Sequence, residues 1–187
     1  MTKIIFDRCF ATCMIFLLLI PMLVIAILVR LTSKGPALHW SERVGQSSKI
    51  FLMPKFRTMH IGTPQVATHL IDDPAEYVTP FGRLLRKFSL DELPQLWSIF
   101  VGDMSVVGPR PALFNQKDLI LMREQKGIDA LKPGLTGLAQ VSGRDDLELD
   151  EKVNYDLDYL NRQSLRLDIQ LVLATAGVVL KRSGISH

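Results

Sequence analysis

Cys9-Phe10-Ala11-Thr12-Cys13-Met14-Ile15-Phe16-Leu17-Leu18-Leu19-Ile20-Pro21-Met22-Leu23-Val24-Ile25-Ala26-Ile27-Leu28-Val29 is a run of 21 residues without a charge, in which Thr12 is the only clearly polar side chain. Wound as one straight helix, it covers about 30 Å at roughly 1.5 Å per residue, the thickness of a bilayer's hydrocarbon core. The stretch is longer than the apolar core of a secretory signal peptide, and no small-x-small cleavage site follows it before Arg30. The chain therefore reads as attached to a membrane at its N-terminal end.

Pro21 stands in the middle of this run, where its missing N–H removes a helix hydrogen bond and its ring disfavours the α region at Ile20. The segment must kink there or reverse. Lys3 and Arg8 precede the run, while Arg30, Lys34 and Arg43 follow it, so both flanks are basic and the positive-inside rule selects no orientation. Two geometries fit: a bent single span, or a re-entrant helical hairpin with both ends on the cytoplasmic side and arms of about a dozen residues, each too short to cross alone.

The totals leave room for one catalytic domain beyond the membrane segment, with 1–34 as the membrane element and 35–187 as the globular part. An apolar content of 48% supports a real core. A net charge of +3 suits an anionic lipid surface or a phosphorylated substrate, and it is too small, with no basic-aromatic interleaving, to argue for nucleic acid. Cys9 and Cys13 are the only cysteines, and at helical spacing inside the apolar run they read as small buried hydrophobes rather than a disulfide or metal site. The histidines His39, His60, His69 and His187 lack ligand spacing, so any metal should be oxygen-bound.

Working toward the C-terminus, Ile50-Phe51-Leu52-Met53 and Lys55-Phe56-Arg57-Thr58-Met59 read as a short strand or strand pair bounded by Gly45 and Gly62. Residues 60–80 are rich in proline and aspartate and read as a loop with at most one helical turn, which could serve as a lid. From Pro80 the pattern turns helical: Phe81, Leu84, Leu85 and Phe88 fall at i, i+3, i+4 and i+7, with Arg83, Arg86 and Lys87 turned away. Such a basic amphipathic helix packs with a solvated face or docks at a membrane interface.

Leu93, Leu96, Trp97 and Phe100 repeat the spacing, which predicts a second helix from near Ser89 to just before Gly102. Asp91 and Glu92 then occupy its first turn. Ser89-x-x-Glu92 is a capping box, and acidic residues at a helix N-terminus gain about 0.3–1 kcal/mol from the dipole, so capping alone accounts for the pair. Three glycine-containing loops point to more than capping: Gly108-Pro109-Arg110-Pro111, Pro133-Gly134-Leu135-Thr136-Gly137 and Val141-Ser142-Gly143-Arg144. Backbone N–H groups and guanidinium forks in such loops can approach a phosphate closely. A rival acidic site is Asp156-Leu157-Asp158, a D-x-D of the kind that holds a metal and a nucleotide sugar. It falls in a helix over 154–160, where a solvated acidic face is the simpler reading. The run from Ile169 to Leu180 is too short to span a bilayer and should pack on the core or lie along the interface.

Taken in order, Lys55-Phe56-Arg57-Thr58-Met59, Ser89-Leu90-Asp91-Glu92-Leu93-Pro94-Gln95, Gly102-Asp103-Met104-Ser105, Gly108-Pro109-Arg110-Pro111 and Pro133-Gly134-Leu135-Thr136-Gly137-Leu138-Ala139-Gln140-Val141 resemble the bacterial sugar transferase family. More narrowly, the chain resembles a small monotopic phosphoglycosyl transferase, and the likeness runs from the membrane segment to Lys181-Arg182-Ser183-Gly184. The resemblance implies a re-entrant helix broken at a proline, with the active site at the cytoplasmic face of a bacterial inner membrane. It implies transfer of a sugar-1-phosphate from a UDP-sugar to polyprenyl phosphate, with release of UMP, as the first membrane step of glycan or glycoprotein assembly that downstream enzymes continue.

In that scheme Asp91 attacks the β-phosphorus to form an acyl phosphate, and Mg²⁺ is bound by Glu92, with Asp91 sharing it. Arg86, Arg110 and Arg144 match arginines of the family motifs and would meet the diphosphate or nucleotide, with Lys55 and Arg57 as further candidates. The chain departs from the family pattern at Ile20-Pro21, where Ser-Pro is frequent, at Leu138, where tryptophan is frequent, and at His60-Ile61-Gly62, where acidic residues are common. The expected fold is α/β, mostly helical with a small strand element and no Rossmann-type glycine fingerprint. Two other function classes remain: a membrane-anchored module that binds a nucleotide sugar or lipid phosphate without catalysis, and a direct glycosyl transferase that releases UDP.

Overall fold

The structure is a computed structural model that describes residues 2–63, 74–143 and 147–181. The chain opens with helix α1 (Thr2–Thr32), which carries Pro21 inside it. Strands β1 (Leu38–Val44) and β2 (Ile50–Phe56) follow and pair antiparallel, with Leu38 opposite Phe56 and Val44 opposite Ile50. Helices α2 (Pro74–Tyr77), α3 (Pro80–Lys87) and α4 (Gln95–Val101) lead to strand β3 (Ser105–Val107). After α5 (Lys117–Gln125), strand β4 (Gly134–Thr136) pairs parallel with β3, and α6 (Leu138–Ser142), α7 (Leu149–Arg162) and α8 (Leu165–Lys181) complete the described chain. The molecule is thus mostly helical, with two small two-stranded sheets among the described residues.

Helix α1 extends about 46 Å if straight, at 1.5 Å per residue. It is one helical element across Pro21, with no loop between two arms, where the sequence left open a reversal into a hairpin. Its apolar surface divides into two sets. Ala11 is fully buried and, with Phe6, Phe10, Met14 and Leu18 around it, packs on Leu96, Ile99, Val106 and Tyr159. Ile25 and Val29, in the second half, pack on Phe56 and Leu85. Phe16, Leu17, Ile20, Leu23 and Ile27 point outward and are more than half exposed. A soluble monomer rarely leaves so continuous an apolar band in water, and by length and composition α1 can cross a membrane. Cys9 and Cys13, expected to be buried, lie exposed on α1.

The polar residues at the N-terminal end of α1 are tied into the body. Asp7, 6% exposed, accepts the Val106 backbone N–H at 3.0 Å. It thereby caps a donor of the short β3 strand that would otherwise be buried without a partner. Lys3 donates to Asp168 of α8 at 2.7 Å, and the Tyr159 hydroxyl donates to the other oxygen of the same carboxylate at 2.6 Å.

Sequence periodicity missed β1 altogether, because Leu38-His39-Trp40-Ser41-Glu42-Arg43-Val44 alternates poorly between apolar and polar side chains. It found β2, and Pro54 is tolerated there because each strand of a two-stranded sheet is an edge. The short α2 agrees with the single helical turn expected over 60–80, while the proposed lid falls largely on 64–73, outside the described residues. The second predicted helix starts later than expected. Ser89 takes a left-handed conformation, φ 54°, and Leu90–Glu92 forms a separate 3₁₀ turn before α4. The helix does end at Gly102, whose φ of 100° suits glycine. Leu96 and Ile99 face the core, whereas Trp97 and Phe100, expected on the buried stripe, are exposed with their rings 5.8 Å apart.

Candidate active site

The site is assembled on the Thr58 segment that follows β2. Thr79 caps α3 by accepting the Gly82 N–H at 2.9 Å, while its own N–H donates to the Thr58 carbonyl at 2.9 Å. A Cβ on Gly82 would come within 2.2 Å of that carbonyl oxygen, so only glycine lets α3 rest directly on this backbone. One turn further along α3, Arg86 donates through Nε to the Thr58 hydroxyl at 3.0 Å. The left-handed turn at Ser89 then brings Leu90–Glu92 back against β2.

Asp91 is buried at 9% exposure, and Glu92 is half-buried beside it. Ser89 makes no side-chain cap. Glu92 Oε1 instead accepts from Lys55 Nζ at 3.0 Å and from Arg110 at 3.3 Å. The capping-box account is thereby replaced: the Glu92 carboxylate pairs with two cations that are remote in sequence. A capping box does occur in the protein, formed by Glu148 and Glu151 at the start of α7.

The electrostatics follow from burial among these charges. Burial pushes the Asp91 carboxyl above the ordinary range and the neighbouring Glu92 adds to this, while Lys55, Arg86 and Arg110 pull it back down. Burial lowers the Lys55 ammonium, opposed by Glu92. Burial likewise lowers Arg86, opposed by Asp91. Arg43, on the strand that periodicity missed, is the residue sequence reasoning did not find. Burial, reinforced by Arg110, brings its guanidinium down to about 10, and it still carries its charge at neutral pH. It donates to the Ser41 hydroxyl at 3.1 Å and to the Pro111 carbonyl at 3.2 Å. Four cationic side chains, Lys55, Arg86, Arg110 and Arg43, thus gather about two carboxylates.

The expected loops behave differently from one another. Gly108 and Gly134 do come together, but for packing: the Gly108 N–H donates to the Thr136 carbonyl at 2.9 Å and the Gly134 N–H to the Pro109 carbonyl at 2.8 Å. Those two N–H groups are therefore spent within the protein, the structural role that each loop taken alone suggested, and do not face a phosphate. A Cβ on Gly137 would meet the Gly108 oxygen at 2.2 Å. These two loops carry glycine where their backbones run in direct contact. Arg144, on the third loop, lies outside the described residues. Arg57, one pleat beyond Lys55, donates to the Lys34 carbonyl at 3.0 Å and lies against Gly35, on the connection leaving α1. It is not among the described partners of Asp91 or Glu92.

The rival D-x-D does not form a two-carboxylate site. Asp156 is 1% exposed and paired with Arg123 at 2.7 Å, whereas Asp158 is paired with Arg162, four residues on, at 2.9 Å. The solvated acidic face expected there holds for Asp158 and fails for Asp156.

With respect to a metal, no group of three or more histidine, cysteine or acidic side chains gathers among the described residues. The donor chemistry of Asp91 and Glu92 is nevertheless of the right kind for Mg²⁺. That ion keeps several waters and is held by one or two carboxylates together with substrate phosphate oxygens.

A buried aspartate and a half-buried glutamate among cations, on a scaffold whose first helix is long and apolar enough to cross a membrane, define a site suited to an anionic group near a lipid surface. Comparison with known proteins agrees in kind. The model of the bacterial sugar transferase family matches residues 1–182, and the chain belongs to that family. It is 41% identical over 168 residues to an undecaprenyl-phosphate galactose phosphotransferase of Salmonella typhimurium, covering 80% of this chain and 34% of that protein. It is 40% identical over 175 residues to a UDP-glucose:undecaprenyl-phosphate glucose-1-phosphate transferase of Caulobacter vibrioides, covering 88% of this chain and 65% of the relative. It is 36% identical over 159 residues to an uncharacterized sugar transferase of Bacillus subtilis, covering 85% and 77%. The chain thus spans about a third of the Salmonella relative's length.

Proposed function

We propose that the protein transfers a sugar-1-phosphate from a UDP-sugar to undecaprenyl or another polyprenyl phosphate, and that residues 35–187 form its catalytic domain. The observation that carries this reading is the burial of Asp91 beside Glu92 within reach of Lys55, Arg86 and Arg110. Buried carboxylates are otherwise costly, and the excess of positive charge around them matches a diphosphate. The names of the Salmonella and Caulobacter relatives, both undecaprenyl-phosphate transferases, support the substrate class.

In the first step a carboxylate oxygen of Asp91 attacks the β-phosphorus of the donor, an Asp–O–P bond forms, the bridging P–O bond breaks and UMP leaves. In the second, an oxygen of polyprenyl phosphate attacks the same phosphorus, the acyl-phosphate bond breaks and the Asp91 carboxylate is restored. Arg110 and Lys55 neutralise the anionic groups that meet there, and Arg86 holds the Thr58 segment in register beside Asp91. Mg²⁺ held by Glu92, with Asp91 and phosphate oxygens, would supply further neutralisation of the diphosphate.

The membrane arrangement we infer is re-entrant, with α1 bending at Pro21 rather than breaking into a loop so that both ends return to one leaflet, and with the catalytic domain on the cytoplasmic face of a bacterial inner membrane. It is supported by the two ends of α1: Lys3 and Asp7 are bonded to Asp168 and Val106, and Ile25 and Val29 pack on Phe56 and Leu85. A helix anchored at both ends to one body cannot place those ends on opposite sides of a bilayer. The exposed Leu84, Phe88, Trp97 and Phe100 on α3 and α4, beside α1, would lie at the lipid interface with Lys87.

The test is to incubate the detergent-solubilised protein with Mg²⁺, polyprenyl phosphate and a panel of UDP-sugars, and to measure UMP and UDP separately for the native chain and for Asp91→Asn. UMP release that disappears in the variant is the expected result. UDP release would overturn the reading in favour of direct glycosyl transfer, and the absence of either nucleotide with every donor would favour a binding module.

A further inference from the structure

Arg110 presents its guanidinium from a side chain that is 46% exposed, and its backbone is held from several sides. In Pro109-Arg110-Pro111 neither proline has an N–H to offer, and the segment is held through its carbonyls. The Pro109 oxygen accepts from the Gly134 N–H at 2.8 Å, the Pro111 oxygen from Arg43 at 3.2 Å, and the Arg110 oxygen from Arg123 at 2.9 Å. Three consecutive carbonyls are therefore gripped from three different elements.

The grip on Arg110 itself is built with particular care. Arg123, on α5, places Nε and one terminal nitrogen on Asp156 Oδ2 at 3.0 and 2.7 Å, which leaves its other terminal nitrogen directed at the Arg110 carbonyl. Both side chains are largely withdrawn from water, at 12% and 2% exposure. The planar fork of a guanidinium serves two acceptors in fixed directions at once, which an ammonium on a flexible stem cannot do. Asp156 supplies the charge that lets Arg123 remain buried and fixes the plane of the fork.

We propose that Asp156 and Arg123 are positioning residues for the transfer reaction: the pair holds the Arg110 backbone so that the Arg110 guanidinium stands over Glu92. This gives the buried half of the D-x-D a role in the chemistry that is not metal binding. The proposal rests on the reading of Arg110 and Glu92 as parts of the active site. It makes Arg110 depend on α5 and α7.

The alternative is that the pair merely glues α5 to α7, beside the apolar cluster of Leu119, Ile128 and Val153. The two roles separate in the double variant Arg123→Met/Asp156→Leu, because a buried ion pair replaced by apolar side chains of similar size commonly leaves a protein as stable or more so. With the melting temperature and the rate of UMP release measured together, the double variant should fold and yet lose about 10- to 100-fold in rate, the scale on which small misplacements act. Arg123→Lys, which keeps the pair with Asp156 and loses the second direction of the fork, should fold and lose activity similarly.

In an Arg110→Lys background the double substitution should add little further loss, since it acts through the residue already changed. A folded double variant with native rates, or a loss that multiplies fully with that of Arg110→Lys, would overturn the proposal while leaving the transferase reading intact. Failure of the native chain to release UMP would instead remove the reading on which the proposal rests.

Discussion

Glu92 Oε1 lies 3.0 Å from Lys55 Nζ, across 37 positions of sequence, in place of the contact with the Ser89 backbone that a capping glutamate makes. The Ser89 N–H, which a capping glutamate would accept from, donates instead to the Arg86 carbonyl at 3.0 Å, and Glu92 pairs with the remote lysine. The β1–β2 hairpin makes this possible, since the alternation along β2 sends Met53 and Lys55 to the side that packs against the 90–92 turn and α4.

Replacing Lys55 should be visible in the pH profile. In the proposed mechanism Asp91 must be ionised to attack, and its native carboxyl titrates above the ordinary range because burial outweighs the nearby cations. Activity should therefore fall on acidification earlier than an exposed aspartate would dictate. Lys55 is the strongest of the influences lowering Asp91, so Lys55→Gln should move the acid limb of kcat/KM to higher pH, with a lower plateau. An unchanged or downward-shifted limb would contradict this assignment.

Arg110 and Arg57 belong to equally conspicuous motifs, yet the structure sets one beside Glu92 and the other on the Lys34 carbonyl. Arg110→Gln should reduce UMP release by about 100-fold, the scale of losing one positioned charge in a water-poor site. Arg57→Gln should reduce it far less and register mainly as a lower melting temperature. Parallel initial-rate and thermal-unfolding measurements on the two variants give the comparison.

Asp7→Ala leaves the Val106 N–H buried without its acceptor and removes a neighbour of Lys3. The expected cost is about 1–3 kcal/mol of stability. Asp7→Asn should recover part of that loss, because an amide oxygen also accepts from a backbone N–H. Chemical denaturation in detergent at fixed pH would measure both.

The membrane arrangement can be read from labelling. With Cys9 and Cys13 replaced by serine, single cysteines at Thr2 and at Lys34 should react with a membrane-impermeant maleimide from the same side of sealed inverted vesicles. Reaction from opposite sides would establish a span and overturn the re-entrant arrangement.

A Cβ at Gly108 would stand 2.3 Å from the Lys132 carbonyl oxygen, a backbone atom that cannot move aside cheaply. Gly108→Ala should cost about 1–3 kcal/mol and lower activity together with stability, because the Arg110 loop is displaced with it. Gly127→Ala, where no atom lies within 4 Å of the added Cβ but φ is 69°, should show only the smaller backbone cost.

Local pattern was informative wherever a few neighbouring residues decide the outcome. Gly102 ends α4 at a positive φ, Phe81 and Leu85 mark the buried side of α3, and Pro74–Tyr77 forms the one helical turn expected in its region. It misled where a side chain had alternatives at a distance. Ser89-x-x-Glu92 has the residues of a capping box and does not form one, and Asp156, read as part of a solvated face, is among the least exposed residues of the described chain. Trp97 and Phe100 carry helical spacing but stand outside the core, an exposure that the proposed lipid interface would account for.

By itself the sequence determined that an apolar helix opens the chain, that Asp91 and Glu92 stand side by side at a turn, and that arginine-bearing loops follow, since composition and short-range periodicity act within a turn or a strand. Only the tertiary structure decided that Lys55 and Arg110 meet Glu92, that Arg57 does not, that Arg43 joins the charges, and that both ends of α1 rest on one body. Those contacts depend on the register of β1 with β2, on the parallel pairing of β3 with β4, and on the free energy of burying remote apolar faces together. None of these is encoded in any single stretch of neighbouring residues.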